Sequence, residues 1–285
     1  MKETGPPTVA AVQMSSGSDV KGNVDGAIEL IHEAADRGAT YIQVPEYFNY
    51  LGPAKHYPQV AETVPGPTTI RLGEIAVSRR VTIHVGSMLE RSDDVTKSFN
   101  TSVIIGPTGE VVARYRKIHL FDIDVPGAST LRESDDIAPG EHMVVADLVG
   151  FRLGLSVCFD LRFAELYRAL ALNGATVFAI PSAFNAVTGS AHWEVLVRAR
   201  AIENHAYVVA AAQVGLTAQG IATHGHSMIV GPWGDVLVES QKSGPDVLVA
   251  SIDVDEVRRR RSQIAVLELR RADLYDRDVE VEGDA

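Results

Sequence analysis

Cysteine is almost missing from this chain of 285 residues; Cys158 is the only one. No internal disulfide can form, which agrees with a reducing compartment. No multi-cysteine metal cluster and no glycine-rich phosphate loop is present, so the expectation is a protein without metal or organic cofactor. No apolar run approaches the length of a membrane span, and the N-terminal MKETGPPTVAAVQM lacks the unbroken apolar core of a secretory signal. A cytoplasmic protein with no membrane partner is the expectation. Basic residues are in deficit, with 26 Lys and Arg against 37 Asp and Glu and a formal net charge of -11. Such a surface repels a phosphate backbone, so nucleic acid is not the expected partner. The one basic cluster, Arg258 to Arg261, falls in a predicted helix after a strand and reads as a solvated or subunit-facing surface. Asn100-Thr101-Ser102 matches a glycosylation sequon, and without a secretion signal it reads as a chance match.

What is present is a large apolar share, 46%, with 22% charged residues. That is ample for an extensive core and carries no signature of disorder, collagen or coiled coil. Short β-branched runs such as TVAAVQM, ATYIQVP, VTIHVGSMLE, FRLGLSVC, ATVFAIPSA and AYVVAAAQ recur along the chain, each bounded by Gly, Pro or Asn. Between them, residues 22–37, 67–79, 163–173 and 190–204 carry apolar residues at three- and four-residue spacing and predict amphipathic helices. Turns such as GPTGE at 106–110 and GPWGD at 231–235 join other strands as hairpins, so the sheets are expected to be mixed. The fold class is α/β. With no linker or composition break, residues 1–275 read as one domain and 276–285 as an acidic tail.

Three strand ends carry chemistry. Cys158 closes the apolar FRLGLSVC and is followed by FDLRF and the predicted helix from 163. A buried free cysteine is either a small hydrophobe or a nucleophile, and the strand–turn–helix junction, which presents a side chain beside backbone N–H groups, favours the second. Glu46 closes YIQVPEYF between Pro45 and two aromatics. It reads either as a surface glutamate starting a loop or as a general base whose proton affinity is set by apolar surroundings. Lys117, in RYRKIHLFD, is either a solvated lysine or a cation held on the core by the apolar run after it. Together the three make chemical sense: a base takes the thiol proton, and a cation with a backbone N–H stabilises an oxyanion.

VPEYF, RKIHLFDIDVPG, LGLSVCFDLRFAELYRALALNGA and PSAFNAVTGSAHWEVLVRARAIEN resemble the glutamate–lysine–cysteine motifs of the nitrilase, or carbon–nitrogen hydrolase, superfamily. The resemblance runs from about Val9 to Tyr275 and is to the amidase branch that contains omega-amidase and deaminated-glutathione amidase. It implies a four-layer-forming α-β-β-α sandwich with two mixed sheets, whose subunits pair into a homodimer or a higher homo-oligomer. It also implies Glu46 as general base, Lys117 as oxyanion-stabilising cation and Cys158 as nucleophile. Glu133, six residues before the proline of a Pro-Gly pair, would orient Lys117 or the substrate amide, and the Phe159 N–H would complete the oxyanion hole. The implied substrates are small carboxylate-bearing amides of α-ketoglutaramate or deaminated-glutathione type, cleaved through a thioester with water as co-substrate. Arg162, Asn185 and Thr188, in the matching loops, are the candidates to bind the carboxylate, although Arg162 reads equally as an ion-pair partner of Asp160 or Glu165.

Three alternatives stand beside this reading. His224 and His226 suggest a metal pair, but no third ligand is in view. A cysteine–histidine amidotransferase would draw its base from His84, His119, His192 or His205, none of which sits in a matching motif. A catalytically silent scaffold of the same fold is the non-enzymatic reading. The segment VGLTAQGIATHG, 214–225, carries no recognisable motif.

Overall fold

Side-chain alternation along the first strand, Thr8–Gln13, fixes the layering. Val9 and Ala11 join one buried cluster and Ala10 and Val12 another, so this strand is apolar on both faces and must be covered on both. The computed structural model describes residues 6–125 and 129–275, and the acidic tail expected at 276–285 lies outside the described residues. The first sheet runs in the order Asp246–Ser251, Thr8–Gln13, Tyr41–Gln43, Thr82–Arg91, Ser98–Ile105 and Val111–Arg116, with the short Ile137–Ala138 added beside Ser98–Ile105. The second runs Val236–Glu239, Met228–Val230, Tyr207–Ala210, Val177–Ala179, Phe151–Leu155 and Val145–Leu148.

Each sheet has three parallel strands at its centre and antiparallel strands outside them. Parallel neighbours need crossover connections, and the four long helices up to residue 204 supply them. Val20–Asp36 and Pro67–Arg79 cover the first sheet, burying Ile28, Ile31, Leu72 and Ala76 against Ile42 and Ile83. Ala164–Leu172 and Ala186–Asn204 cover the second, burying Tyr167, Leu170, Trp193 and Val197 against Phe178 and Val208. The result is the α-β-β-α sandwich with mixed sheets that the sequence led us to expect.

Helix ends follow their caps. Asp19 accepts a hydrogen bond from the Gly22 N–H at 3.1 Å and starts the first helix at Val20, two residues before the periodicity does. Asn185 accepts one from the Val187 N–H at 2.8 Å and starts the helix Ala186–Asn204 four residues earlier than expected. Thr188, expected in a loop, therefore stands in the first helical turn. The helix expected over 163–173 is Ala164–Leu172, preceded by a 3₁₀ turn, Cys158–Arg162. Six short strands were not foreseen, among them the hairpin Val214–Leu216 with Ala222–His224. The arginine cluster lies on the helix Val254–Gln263. Arg258, Arg259 and Arg260 pair with Asp255 or Glu256, while Arg261 donates to the carbonyls of Asn204 and Ala175.

A polar seam lies between the sheets. His84 Nδ1 is 2.6 Å from the Tyr41 hydroxyl, its Nε2 is 2.5 Å from Ser102 Oγ, and Gln43 donates to the Val209 carbonyl of the opposite sheet at 3.1 Å. Burial pushes the His84 imidazole down to about 3 from the usual 6.5. The unfolded chain therefore binds a proton that the folded chain refuses. Stability from this residue is full above pH 6.5 and is lost as pH falls toward 3. At about 1.4 kcal/mol per pH unit, His84→Gln should remove about 3 kcal/mol of the stability lost between pH 6.5 and pH 4. Urea unfolding across that range checks this, and an unchanged pH slope would show that His84 is not the titrating group.

Candidate active site

Both sets of parallel strands send their carboxyl ends to the same edge of the sandwich, the place where open α/β sheets gather their ligands. Glu46 follows Tyr41–Gln43 by three residues, and Cys158 follows Phe151–Leu155 by three. The sheets are joined there by a backbone bridge from Met14, after the first strand, to Gln213, after Tyr207–Ala210. The approach is close at Gly86, where a β-carbon would stand 1.8 Å from the Val44 carbonyl oxygen and 2.5 Å from Pro181 Cβ. Only glycine lets the strand Thr82–Arg91 pass beneath the segment that carries Glu46.

Glu46, Lys117 and Cys158 meet at the floor of a cavity of about 240 Å³. Glu46 is 2% exposed, Lys117 is 2% and Cys158 is 9%, so the surface readings of the first two are excluded. Lys117 Nζ donates to Glu46 Oε1 at 3.1 Å and to Glu133 Oε2 at 2.7 Å. An ammonium has three N–H bonds, and these contacts use two. Burial alone would discharge it, but Glu133 and Glu46 outweigh burial and hold its pKa well above the ordinary lysine value.

Glu133 receives hydrogen bonds on both oxygens: from Lys117 and the Phe121 N–H on Oε2, and from the Tyr47 hydroxyl and the Asn100 amide on Oε1. Burial pushes its carboxyl up, and Lys117 with these donors overcomes that to leave it below the usual glutamate value. Glu46 accepts from Lys117 and Asn100 on Oε1 and from the Ala183 N–H on Oε2 at 2.8 Å. Its backbone carbonyl accepts from Gln213 Nε2 at 3.0 Å.

Cys158 has φ of 48°, a left-handed conformation for a side-chain-bearing residue, at the turn from strand to 3₁₀ helix. Such conformations store strain and cluster at functional sites. Its own N–H is taken by the Pro181 carbonyl at 2.9 Å. The next N–H, that of Phe159, stands at the start of the 3₁₀ turn, where donors lack an intrahelical acceptor. The thiol and the Glu46 carboxylate line the same cavity and interact electrostatically. Burial first, then that carboxylate, hold the thiol pKa well above its ordinary value against the pull of Lys117. The resting sulfur is a thiol.

Arg162, Asn185 and Thr188 all line the same cavity. Arg162 makes no ion pair with Asp160 or Glu165. Asp160 is fully buried and is occupied by Tyr115, the Val157 N–H and His119. The Arg162 guanidinium lies over the rings of Phe184 and Phe159 and 3.3 Å from His192 Nδ1. The Asn185 side-chain oxygen is committed to capping its helix. The unassigned segment 214–225 supplies Thr217, Gln219, Ile221 and Thr223 to the cavity wall.

Sequence reasoning missed Asn100, Tyr47 and Gln213. The sequon asparagine is fully buried and bridges two carboxylates. The signal for it was available, because a polar Asn-Thr-Ser inside the apolar strand Ser98–Ile105 must find partners indoors. None of the candidate histidines is hydrogen-bonded to Cys158 among the described residues: His84 is in the seam, His119 is on Asp160, His192 faces Arg162 and His205 faces the Pro232 carbonyl. His224 and His226 stack with ring centroids 4.5 Å apart, and His226 Nδ1 sits 2.7 Å from Glu239 Oε1. No group of three potential ligands forms a metal site among the described residues. Among them, too, no helix is long and apolar enough to cross a membrane.

Two helix-covered mixed sheets packed face to face, with a buried acid, amine and thiol at their shared edge, place the chain among nitrilase-fold hydrolases. The carbon–nitrogen hydrolase family profile matches residues 8–262, and the chain belongs to that family, within its amidase branch. It is 40% identical to the omega-amidase of Homo sapiens over 269 residues, 94% of this chain and 96% of that protein. It is also 40% identical to the deaminated glutathione amidase of Bos taurus over 275 residues, 94% and 83% of the two chains. Among solved structures it is similar to the NitFhit protein of C. elegans, with a TM-score of 0.89, 36% identity and 95% of this chain covered; the match spans 66% of that longer chain. A glutamate-to-glutamine mutant of an amidase from Nesterenkonia sp. AN1 matches with a TM-score of 0.79 and 26% identity over 94% of this chain and 95% of that one. That structure shows the acetamide moiety of fluoroacetamide added covalently at the active-site cysteine.

Proposed function

We propose that this amidase, working as one domain over residues 1–275, hydrolyses a small amide carrying a carboxylate, of α-ketoglutaramate or deaminated-glutathione type, through a thioester on Cys158. The observation that carries the reading is the convergence of Glu46, Lys117 and Cys158 on one cavity whose wall presents the Arg162 guanidinium without a carboxylate partner among the described residues. The cavity volume, about 240 Å³, lies just below the usual range of ligand sites, roughly 300–1,000 Å³, and so suits a small substrate.

Glu46 takes the thiol proton as Sγ attacks the amide carbonyl. The third Lys117 N–H and the Phe159 N–H receive the oxyanion. The intermediate collapses to the thioester, and Glu46 returns the proton to the departing ammonia. Water then gives its proton to Glu46 and attacks the thioester; collapse releases the acid, and the proton goes back to sulfur. Glu133, saturated by four donors, acts as the fixed anion that orients Lys117. The steps call on no metal or organic cofactor. The covalent adduct on the active-site cysteine of the Nesterenkonia amidase supports a nucleophilic role for Cys158. The family resemblance extends the proposal to a homodimer, for which exposed Val187, Val195 and Ile202 on one helix supply apolar surface. A cytoplasmic location remains part of the same proposal.

Ammonia release from α-ketoglutaramate and from deaminated glutathione, measured side by side with Cys158→Ala as control, tests the reading. Activity surviving in the control would reject the nucleophile. Arg162→Leu should raise KM for the carboxylate-bearing substrate about 10- to 100-fold, the loss of one charge-assisted contact of about 1.5–3 kcal/mol, while kinetics on an uncharged primary amide change little. Equal losses on both substrates would reject Arg162 as the carboxylate site.

A further inference from the structure

Besides Lys117, Asn100 also hydrogen-bonds both carboxylates of the site. Its amide nitrogen has two hydrogens and donates to two acceptors, Glu46 Oε1 at 2.9 Å and Glu133 Oε1 at 3.2 Å. Its backbone carbonyl accepts the Lys117 N–H at 2.9 Å. One residue of the strand Ser98–Ile105 thus contacts the acid, the second acid and the backbone of the cation between them. The arrangement leaves the other half of the amide without compensation: Asn100 is fully buried and its side-chain oxygen has no partner among the described residues. Buried orphan acceptors are uncommon. Turning the amide over would press that oxygen against two carboxylates, so the orientation is dictated by the acids.

Two carboxylates in one buried site normally share a proton, because like charges at close range raise the proton affinity of one of them. Lys117 cancels one of the two charges, and the positive end of the Asn100 amide lies between both. We infer that Asn100 is a positioning residue that keeps Glu46 and Glu133 ionised at the same time, so that Glu46 stays free to accept the Cys158 proton. This rests on the reading of Glu46 as the base and explains how that base stays unprotonated beside a second acid. The ionisable groups facing the pair are Lys117, the Cys158 thiol, the phenols of Tyr47 and Tyr57 and, beyond Tyr57, Asp136. Substitution at Asn100 alters none of them.

The test is the pH dependence of Cys158 alkylation by iodoacetamide, a small uncharged reagent that needs no substrate carboxylate. Sulfur displaces iodide, and the thiol proton passes to Glu46. Asn100→Leu removes both donors at similar volume; Asn100→Asp removes them and adds a negative charge. The acid limb of the rate profile should move up by about one pH unit in Asn100→Leu and further in Asn100→Asp, with the high-pH plateau of Asn100→Leu kept within a few-fold. A midpoint does not depend on the fraction of enzyme that folds. If Asn100→Leu yields no folded protein, Asn100→Ser, which offers one donor, should give a smaller shift in the same direction. Lowered plateaus with unmoved midpoints would mean that Asn100 only supports the fold, and would overturn the inference. Glu46→Gln is the control: an acid limb that persists there removes Glu46 as the base, whereas one that vanishes there but stays put in every Asn100 variant rejects Asn100 alone.

Discussion

Glu46→Gln should lower kcat/KM for amide hydrolysis by about 10³- to 10⁴-fold, the upper range of a positioned general base, while Cys158 remains in place and the fold is kept. The substitution is nearly isosteric, and its effect follows from hydrogen-bond inventory. Both Glu46 oxygens accept, one from Lys117 and Asn100 and the other from the Ala183 N–H. A glutamine has one acceptor and one donor, so one orientation sets its NH₂ against Lys117 and Asn100, and the other sets it against Ala183. Either way a buried donor loses its partner, which costs about 1–3 kcal/mol of stability. With Glu46 as the base, the residual activity should lack the acid limb of the wild-type profile. Turnover within tenfold of wild type, or an acid limb near the ordinary histidine value, would transfer the base role to a histidine and revive the cysteine–histidine alternative.

The fold was legible where its physics is local. Each of the six apolar runs quoted from the sequence contains a strand, because strands buried on both faces leave nearly continuous hydrophobic text. Pro67 at the first helical position and Arg79 at the end bounded one helix to the residue. The misses lie where a tertiary contact decides. The helix Ala186–Asn204 starts at Ala186 because Asn185 caps it, although the exposed Val187 breaks the apolar spacing there. That moves Thr188 from a loop to a helix without taking it out of the cavity. At the site, Glu46, Lys117 and Cys158 stood out because each lies within three residues of a strand's end and is an unusual residue type there. Asn100 lies within a strand, and its importance comes from what two other segments, near 46 and 133, bring to it. Spacing in one chain cannot carry that information. Its sequon reads as a chance match, in agreement with a residue that has no exposure.

Lys117→Met should reduce kcat by about 10²- to 10³-fold, the usual consequence of removing an oxyanion donor, and should leave KM much less affected. Methionine fills much of the space of the lysine stem, so packing is largely kept and charge is what changes. The site then holds Glu46 and Glu133 with no cation between them, and breaking a buried ion pair from one side costs about 3–5 kcal/mol. The pair escapes part of that penalty by taking up a proton. Glu133 is held below the usual glutamate value by Lys117 in the wild type, so its stabilisation is present above the unfolded value and fades as pH falls through the lower folded value. In Lys117→Met that contribution is gone, and denaturant unfolding should show less stability at neutral pH with a narrower gap from wild type in acid. Two measurements therefore separate two functions of one ammonium. If turnover falls and stability holds, Lys117 serves the oxyanion alone. If stability falls with near-normal turnover in the folded fraction, Lys117 only neutralises the acids, and the oxyanion role assigned to it is wrong.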